Sequence, residues 1–293
     1  SQRQCQLHAS AILTSPHIPH ILSPMPELPE VETVCRTMQQ ALPGRTIKRI
    51  ETSDKRLREP LARARLNALC GERFIAVRRR AKYLLLELES GTTLLVHLGM
   101  SGNLLLRAPG EKHDHVVFHL DSERPLVFND PRRFGMVIVL EEGEEDNCRY
   151  LSKLGVEPLT AAFNKRYLTA ACQGRKTPIK SLIMDGHIVV GVGNIYASES
   201  LFGAGIHPQC AAGDIDEVRL QQLVKSIKAV LRSAVRKGGT TISDYLGSGE
   251  GGRFQQRLTV YGRDGQPCRS CGQTIQSVTL AGRNTFYCAH CQQ

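Results

Sequence analysis

Two groups of residues in this chain have the types and spacing that chemistry requires. The first is Pro26-Glu27, which follows Met25, the first methionine of the 293-residue sequence. If translation starts at Met25, trimming of that methionine leaves proline as a free secondary amine. An α-amino group titrates near ~8, against ~10.4 for lysine, so much more of it is unprotonated at neutral pH. A secondary amine that attacks a sugar C1′ yields a charged iminium, which is a strong electron sink. Glu27 stands beside it to handle protons. The second group is Cys268-x-x-Cys271 and Cys288-x-x-Cys291, separated by 16 residues. Two such turns, brought together by a hairpin, aim four thiolates at one point. Four thiolates leave no open coordination position, so the spacing predicts one structural zinc ion rather than a catalytic one.

Elements must hold these groups in place. Val31, Val34, Cys35, Met38 and Leu42 recur on one helical face. Pro29, Glu30 and Glu32 suit a first helical turn, and Pro43-Gly44 ends it. From Thr46 to about Leu140 the pattern is short apolar or alternating runs divided by turn signals, which predicts a sandwich or barrel. Arg132 and Phe134 stand two apart there and, on a strand, share one face. EEGEEDN (141–147) reads as a polar linker. Helical patterns follow over 151–154, 165–172, 179–184, 194–204, 215–237 and 241–246. GSGEGGRF (247–254) reads as a mobile loop, and the last forty residues return to strands around the cysteines.

The chain carries a formal charge of +10 and is 41% hydrophobic. That suits a globular protein drawn to polyanions, with nucleic acid as the partner. No apolar run reaches the ~18–20 residues of a spanning helix. The other six of the ten cysteines are scattered singly, a pattern of a reducing compartment. Arg253, Arg257, Arg263, Arg269 and Arg283 decorate the cysteine region, and an arginine at a hairpin tip is well placed for a phosphate. Residues 1–24 have one arginine and no signal-peptide layout. They are read as a disordered extension or an artefact of cloning or gene start.

PELPEVETV, KYLLL (82–86), HLGMSG (97–102), DPRRFG (130–135), MDG with VVGVGNIYASESLF and GIHP (184–208), GGTT (238–241) and VYGRDGQPC (260–268) occur in this order. From Met25 to Gln293 the chain resembles the formamidopyrimidine-DNA glycosylases. The resemblance implies an α+β fold: a β-sandwich domain with a leading helix (25–145), a helix–two-turn–helix domain (146–247), and a flexible loop with a four-cysteine zinc hairpin (248–293). It implies a base-excision repair enzyme, a bacterial cytoplasmic monomer acting on double-stranded DNA. Such an enzyme excises oxidised purines, 8-oxoguanine opposite cytosine and formamidopyrimidines, and nicks the abasic site by β,δ-elimination. No organic cofactor is implied.

Carried over residue by residue, Pro26 is the nucleophile, Glu27 the acid that opens the sugar, and Glu30 its support. Lys82 reaches a phosphate or the lesion. Met100, Arg132 and Phe134 fill the gap left by the extruded nucleotide, and Arg132 reads the widowed cytosine. His97, Lys180, Asn194 and Arg283 hold phosphates. Two other readings stand beside this one. One is a glycosylase of the endonuclease VIII type for oxidised pyrimidines, against which DPRRFG argues. The other is a non-catalytic lesion-binding zinc protein, if residues 1–24 stay attached and Pro26 remains a tertiary amide.

Overall fold

The computed structural model describes residues 25–239 and 258–293. The expected extension (1–24), the helical pattern at 241–246 and the glycine-rich loop at 247–254 lie outside the described residues. Helix α1 (Leu28–Ala41) buries Val31, Val34, Cys35 and Met38. Its start answers for the acids and the proline: Pro29 occupies the first turn, and Glu30 accepts the backbone N–H of Glu27 at 3.0 Å.

Two antiparallel four-stranded sheets follow. One pairs β1 (Ile47–Thr52), β6 (Asp114–Leu120), β7 (Leu126–Asn129) and β5 (Asn103–Leu106) in that order. The other pairs β2 (Phe74–Arg80), β3 (Tyr83–Leu88), β4 (Thr93–His97) and β8 (Met136–Leu140). Strand β3 explains why so many of its positions are apolar. Leu84, Leu86 and Leu88 enter the core between the sheets, while Leu85 faces the other way, against Leu95, Met136, Leu140 and Leu151. A sheet covered on both faces needs apolar residues at both parities.

Three expectations in this region are corrected. A short helix α2 (Arg63–Asn67) interrupts the strand-rich stretch. Its one buried residue is Leu66, too little to give a helical period. Residues 151–154 form turns rather than a helix. The acidic stretch after β8 is not a free linker: Arg65 pairs with Glu141 and Glu144, and Arg78 pairs with Glu145.

The helical region has a second core. Its helices are α3 (Lys165–Cys172), α4 (Ile179–Ile183), α5 (Asn194–Ala204) and α6 (Glu217–Arg236). Asp216 caps α6, accepting the N–H groups of Val218 and Arg219 at 2.9 Å each. Leu220, Leu223, Val224, Ile227 and Leu231 form its buried stripe. Helix α5 is buried all round from Ile195 to Leu201 and stops at Gly205, whose φ of +68° a side chain would resist.

The C-terminal hairpin pairs β9 (Gln276–Leu280) with β10 (Arg283–Tyr287) across Ala281-Gly282. Val260, Ile275 and Phe286 pack with the cysteines in a small core. Glu199 on α5 binds the chain entering this unit: its carboxyl group accepts the N–H groups of Thr259 at 2.8 Å and of Val260 and Tyr261 at 2.9 Å. Among the described residues, no helix is long and apolar enough to cross a membrane.

Candidate active site and nucleic-acid interface

The structure gathers most of the chemically suspect residues around the start of α5. Glu27 is 3% exposed and reaches from the cap of α1 to the mouth of α5. Its carboxyl oxygens accept the backbone N–H groups of Gly193 at 2.8 Å, Ile195 at 3.0 Å and Tyr196 at 3.4 Å. A helix N-terminus favours negative charge. Burial nonetheless dominates and pushes the Glu27 carboxyl up to about 7, with Glu30 also raising it while Lys82 and the amides of Ile195 and Tyr196 pull it down. A carboxyl that titrates near neutrality can give up a proton there. Glu30 is buried behind it and accepts the hydroxyl of Tyr196 at 2.7 Å.

Two glycines make this approach possible. A Cβ on Gly193 would lie 2.2 Å from the Glu27 carboxyl carbon, and one on Gly191, where φ is +78°, would lie 2.6 Å from Leu28. The glycines of GVGN are thus spaces for α1. Replacing Gly193 by alanine displaces Glu27 from the helix mouth. The variant is expected to lose about 1–3 kcal/mol of stability, read from denaturant midpoints, and to lose strand cleavage out of proportion to that. Unchanged cleavage would show that Glu27 does not need this seat.

Lys82 sits in the two-residue turn between β2 and β3, after Ala81, whose φ is +55°. The basic strand before it is not a free phosphate surface. Arg79 pairs with Glu32 and Glu157, Arg80 with Glu157, and the Ala81 N–H donates to Glu157 at 2.7 Å. These contacts present Lys82 alone. It lines a cleft of about 190 Å³ with His97, Gly191, Val192 and Met184. His97 is buried, and burial together with Arg58 and Lys82 holds its ring down at about 4. It is therefore neutral at pH 7. Its Nδ1 accepts the Gly99 N–H at 3.0 Å, so the proton resides on Nε2, a donor for a passing oxygen. Arg58 carries no motif to mark it, yet its exposed guanidinium is the second cation facing His97.

Lys180, 2% exposed, is more buried than a surface phosphate ligand. Its ammonium donates to Asn194 Oδ1 and Thr285 Oγ1, both at 2.6 Å. Asn194 in turn donates to the Asn284 carbonyl at 2.9 Å. Burial lowers the Lys180 amine to about 8, with Glu27 raising it and Arg283 lowering it further. Lys180 and Arg283 line a second cleft of about 300 Å³, which meets the first at Met184. Arg263 belongs to neither: its guanidinium donates to the carbonyls of Thr259 and Pro267 and so braces its own loop.

Arg132 and Phe134 do lie together, but not because a strand aligns them. The segment between β7 and β8 is a loop, with Arg133 at φ +59°. The Arg132 guanidinium lies 5.2 Å from the Phe134 ring centre, and Phe134 is 49% exposed. Met100 tops the neighbouring turn, where a Cβ on Gly99 would come 2.5 Å from the Gly135 nitrogen. An exposed arginine, an exposed aromatic ring and a methionine thus stand on two loops in backbone contact.

The sulfur atoms of Cys268, Cys271, Cys288 and Cys291 all lie within 4.8 Å of one another, with 3.9 Å between Cys268 and Cys291 and 3.5 Å between Cys271 and Cys288. Tetrahedral zinc with Zn–S bonds of about 2.3 Å requires sulfurs about 3.8 Å apart. The four thiolates fit one structural zinc ion.

A sandwich, a helical module and a zinc hairpin converging on a buried acid are the architecture of a DNA glycosylase. Family models match in the same order: the formamidopyrimidine-DNA glycosylase N-terminal domain over 25–137, the formamidopyrimidine-DNA glycosylase H2TH domain over 154–245, and a zinc finger found in FPG and IleRS over 265–293. Formamidopyrimidine-DNA glycosylases of Enterobacter sp. (strain 638) and Ruegeria sp. (strain TM1040) are 50% and 44% identical, each across 92% of this chain and 100% of their own length. The crystal structure of MutM (Fpg) from Thermus thermophilus is 38% identical and superposes with a TM-score of 0.81 over 91% of this chain and 98% of its own. A complex of Lactococcus lactis Fpg with abasic-site DNA is 34% identical, with a TM-score of 0.84 over 91% of this chain and 99% of its own. The chain belongs to the formamidopyrimidine-DNA glycosylase family.

Proposed function

We propose that this protein excises oxidised purines from double-stranded DNA, 8-oxoguanine opposite cytosine and formamidopyrimidines among them, and then nicks the abasic site. The observation that carries the reading is Glu27: a buried carboxyl, next to Pro26, titrating near neutrality in the mouth of α5. In the active form the chain starts at Pro26. Within a longer chain that nitrogen is a tertiary amide with no lone pair to donate. The family match begins at residue 25, which agrees with this start.

The Pro26 amine attacks C1′, forming a C–N bond as the glycosidic bond breaks, and the damaged base leaves with the proton that the amine gives up. The C1′–O4′ bond then opens to the iminium, and O4′ takes its proton from Glu27. The iminium acidifies the C2′ hydrogen. Loss of that proton to water expels the 3′ phosphate, and loss of the C4′ proton in a second elimination expels the 5′ phosphate. Glu30 supports Glu27. Lys82 reaches a phosphate or the lesion, and His97, Lys180, Asn194 and Arg283 hold the phosphates around the extruded nucleotide, with Lys180 also fixing Asn194 against the hairpin. Met100, Arg132 and Phe134 occupy the vacated stack, and Arg132 reads the cytosine.

The domains follow from the same reading: sandwich to 145, helical module to 247, loop and zinc hairpin beyond. The enzyme works as a monomer in the bacterial cytoplasm, at the nucleoid. Several structures of related Fpg (MutM) contain lesion-bearing or abasic DNA, which supports the choice of substrate.

Borohydride trapping tests the core of this proposal. Protein from its natural host is mixed with a duplex bearing one 8-oxoguanine opposite cytosine, reduced, and digested for peptide mapping. A covalent adduct on a peptide beginning at Pro26 is expected. Binding without an adduct, on protein that retains residues 1–24, would instead identify a lesion-binding protein without chemistry.

A further inference from the structure

The two loops that present Met100, Arg132 and Phe134 are joined by a group that cannot itself reach DNA. Asp130 is 0% exposed. One of its carboxyl oxygens accepts the Ser101 hydroxyl at 2.6 Å and the Arg132 N–H at 3.2 Å. The other accepts the Gly135 N–H at 2.7 Å. Ser101 Oγ accepts the same Arg132 N–H at 3.1 Å. The Asp130 carbonyl lies 3.0 Å from His115 Nε2, and the Asp130 N–H donates to the His113 carbonyl at 3.0 Å. Asp130 is therefore fixed to the sandwich by its backbone and holds the loops by its side chain.

The pattern of these bonds has a purpose beyond satisfying a buried group. Arg133 occupies the left-handed region at φ +59°, a conformation that a side chain resists. The two Asp130 oxygens grip N–H groups on either side of it, at Arg132 and Gly135. That grip keeps the bend that turns both Arg132 and Phe134 outward. Ser101, the residue after Met100, ties the bend to the Met100 turn, and the Gly102 N–H closes that turn on the Leu98 carbonyl at 2.8 Å.

We propose that Ser101 and Asp130 are positioning residues for specificity, locking the Met100 loop to the Arg132–Phe134 loop so that the choice of opposite base is made by one rigid unit. The proposal rests on the reading of Arg132 as the residue facing that base. A side chain on a loose loop can follow either partner base, whereas one held at a fixed angle accepts the base that fits and rejects the other. Losing the lock should therefore lower discrimination, not merely activity.

The test measures single-turnover excision of 8-oxoguanine opposite cytosine and opposite adenine, and takes the ratio of rates. Ser101→Ala removes only the hydroxyl bridge, Ser101→Thr keeps it, and Arg132→Ala serves as the reference. With melting temperatures checked, Ser101→Ala is expected to lower the ratio about tenfold, a contact's worth of base discrimination, with Ser101→Thr near wild type. Asp130→Asn, where it folds, lowers the ratio further, because its amide opposes one of the N–H groups. If Arg132→Ala lowers the ratio and Ser101→Ala does not, the lock is overturned while the reading of Arg132 stands. Slower excision from Ser101→Ala with an unchanged ratio overturns it equally, since a purely structural role slows both duplexes alike. If Arg132→Ala leaves the ratio unchanged, the reading of Arg132 is what has failed.

Discussion

Glu27→Gln lowers opening of the sugar ring, and with it strand cleavage, by about 10²–10⁴-fold, the usual worth of a positioned general acid. The amide has no proton to give to O4′. It also places an NH₂ group against one of the backbone donors at Gly193, Ile195 or Tyr196, which accept no substitute donor. That mismatch costs about 1–3 kcal/mol of stability, so the variant folds but melts earlier. DNA binding, which depends on other side chains, persists. The pH profile of the wild type has a matching form. Glu27 must be protonated, and its value of about 7 means the acid form declines above neutrality. The proline amine must be unprotonated, and an α-amino group near ~8 loses that form below. The product of the two rises below about pH 7, is flat between about 7 and 8, and falls tenfold per unit above. A profile of kcat/KM that rises steadily through pH 9 would remove Glu27 from the acid role.

Withdrawal of zinc has the second large effect. Structural zinc contributes on the order of 10–16 kcal/mol of binding free energy to small metal domains. Among the described residues, the apolar core of the hairpin unit is Val260, Ile275 and Phe286 around the cysteines, with Phe202 and Tyr261 packed against it. A two-stranded hairpin is marginal by itself. Chelation, or Cys288→Ser, releases β10, and with it Arg283 and the Thr285 hydroxyl that holds Lys180. Affinity for a duplex with an abasic-site analogue, followed by fluorescence anisotropy, is expected to fall by more than about 100-fold and to return when zinc is restored to the chelated protein. The sandwich keeps its own core, so its β signal in circular dichroism should persist. Metal-free protein that binds as before would mean the hairpin does not contribute to the interface.

Much of this architecture is legible in the amino-acid sequence. The eight strands of the sandwich fall within a residue or two of the apolar runs, because burial on both faces writes itself into composition at β3, β4 and β8. Long helices such as α6 announce their stripe. The cysteine pairs specify their geometry by spacing alone. Three kinds of feature are not legible. A five-residue helix with only Leu66 buried has no period to detect. Arg132 and Phe134 share a direction through a left-handed Arg133, not through strand alternation, and nothing in the residue type at 133 signals that. Carboxyl groups that organise the site from within, such as Asp130, Glu157 and Glu199, look in sequence like any surface acid. Their partners are backbone N–H groups and arginines brought near only by the fold.

Helix α5 has a consequence of its own. Eleven residues at 1.5 Å each make a beam of about 16 Å. At one end its amides hold Glu27, in the middle Glu199 holds the chain entering the zinc unit, and after the far end Ile206 and Gly205 accept hydrogen bonds from Gln292 and Gln293. A rod bound at both ends and buried from Ile195 to Leu201 resists fraying from either. The acid pocket and the metal lobe therefore form one cooperative unit in local unfolding, and amide exchange at Ile195 and at Val260 reports a single opening event rather than two.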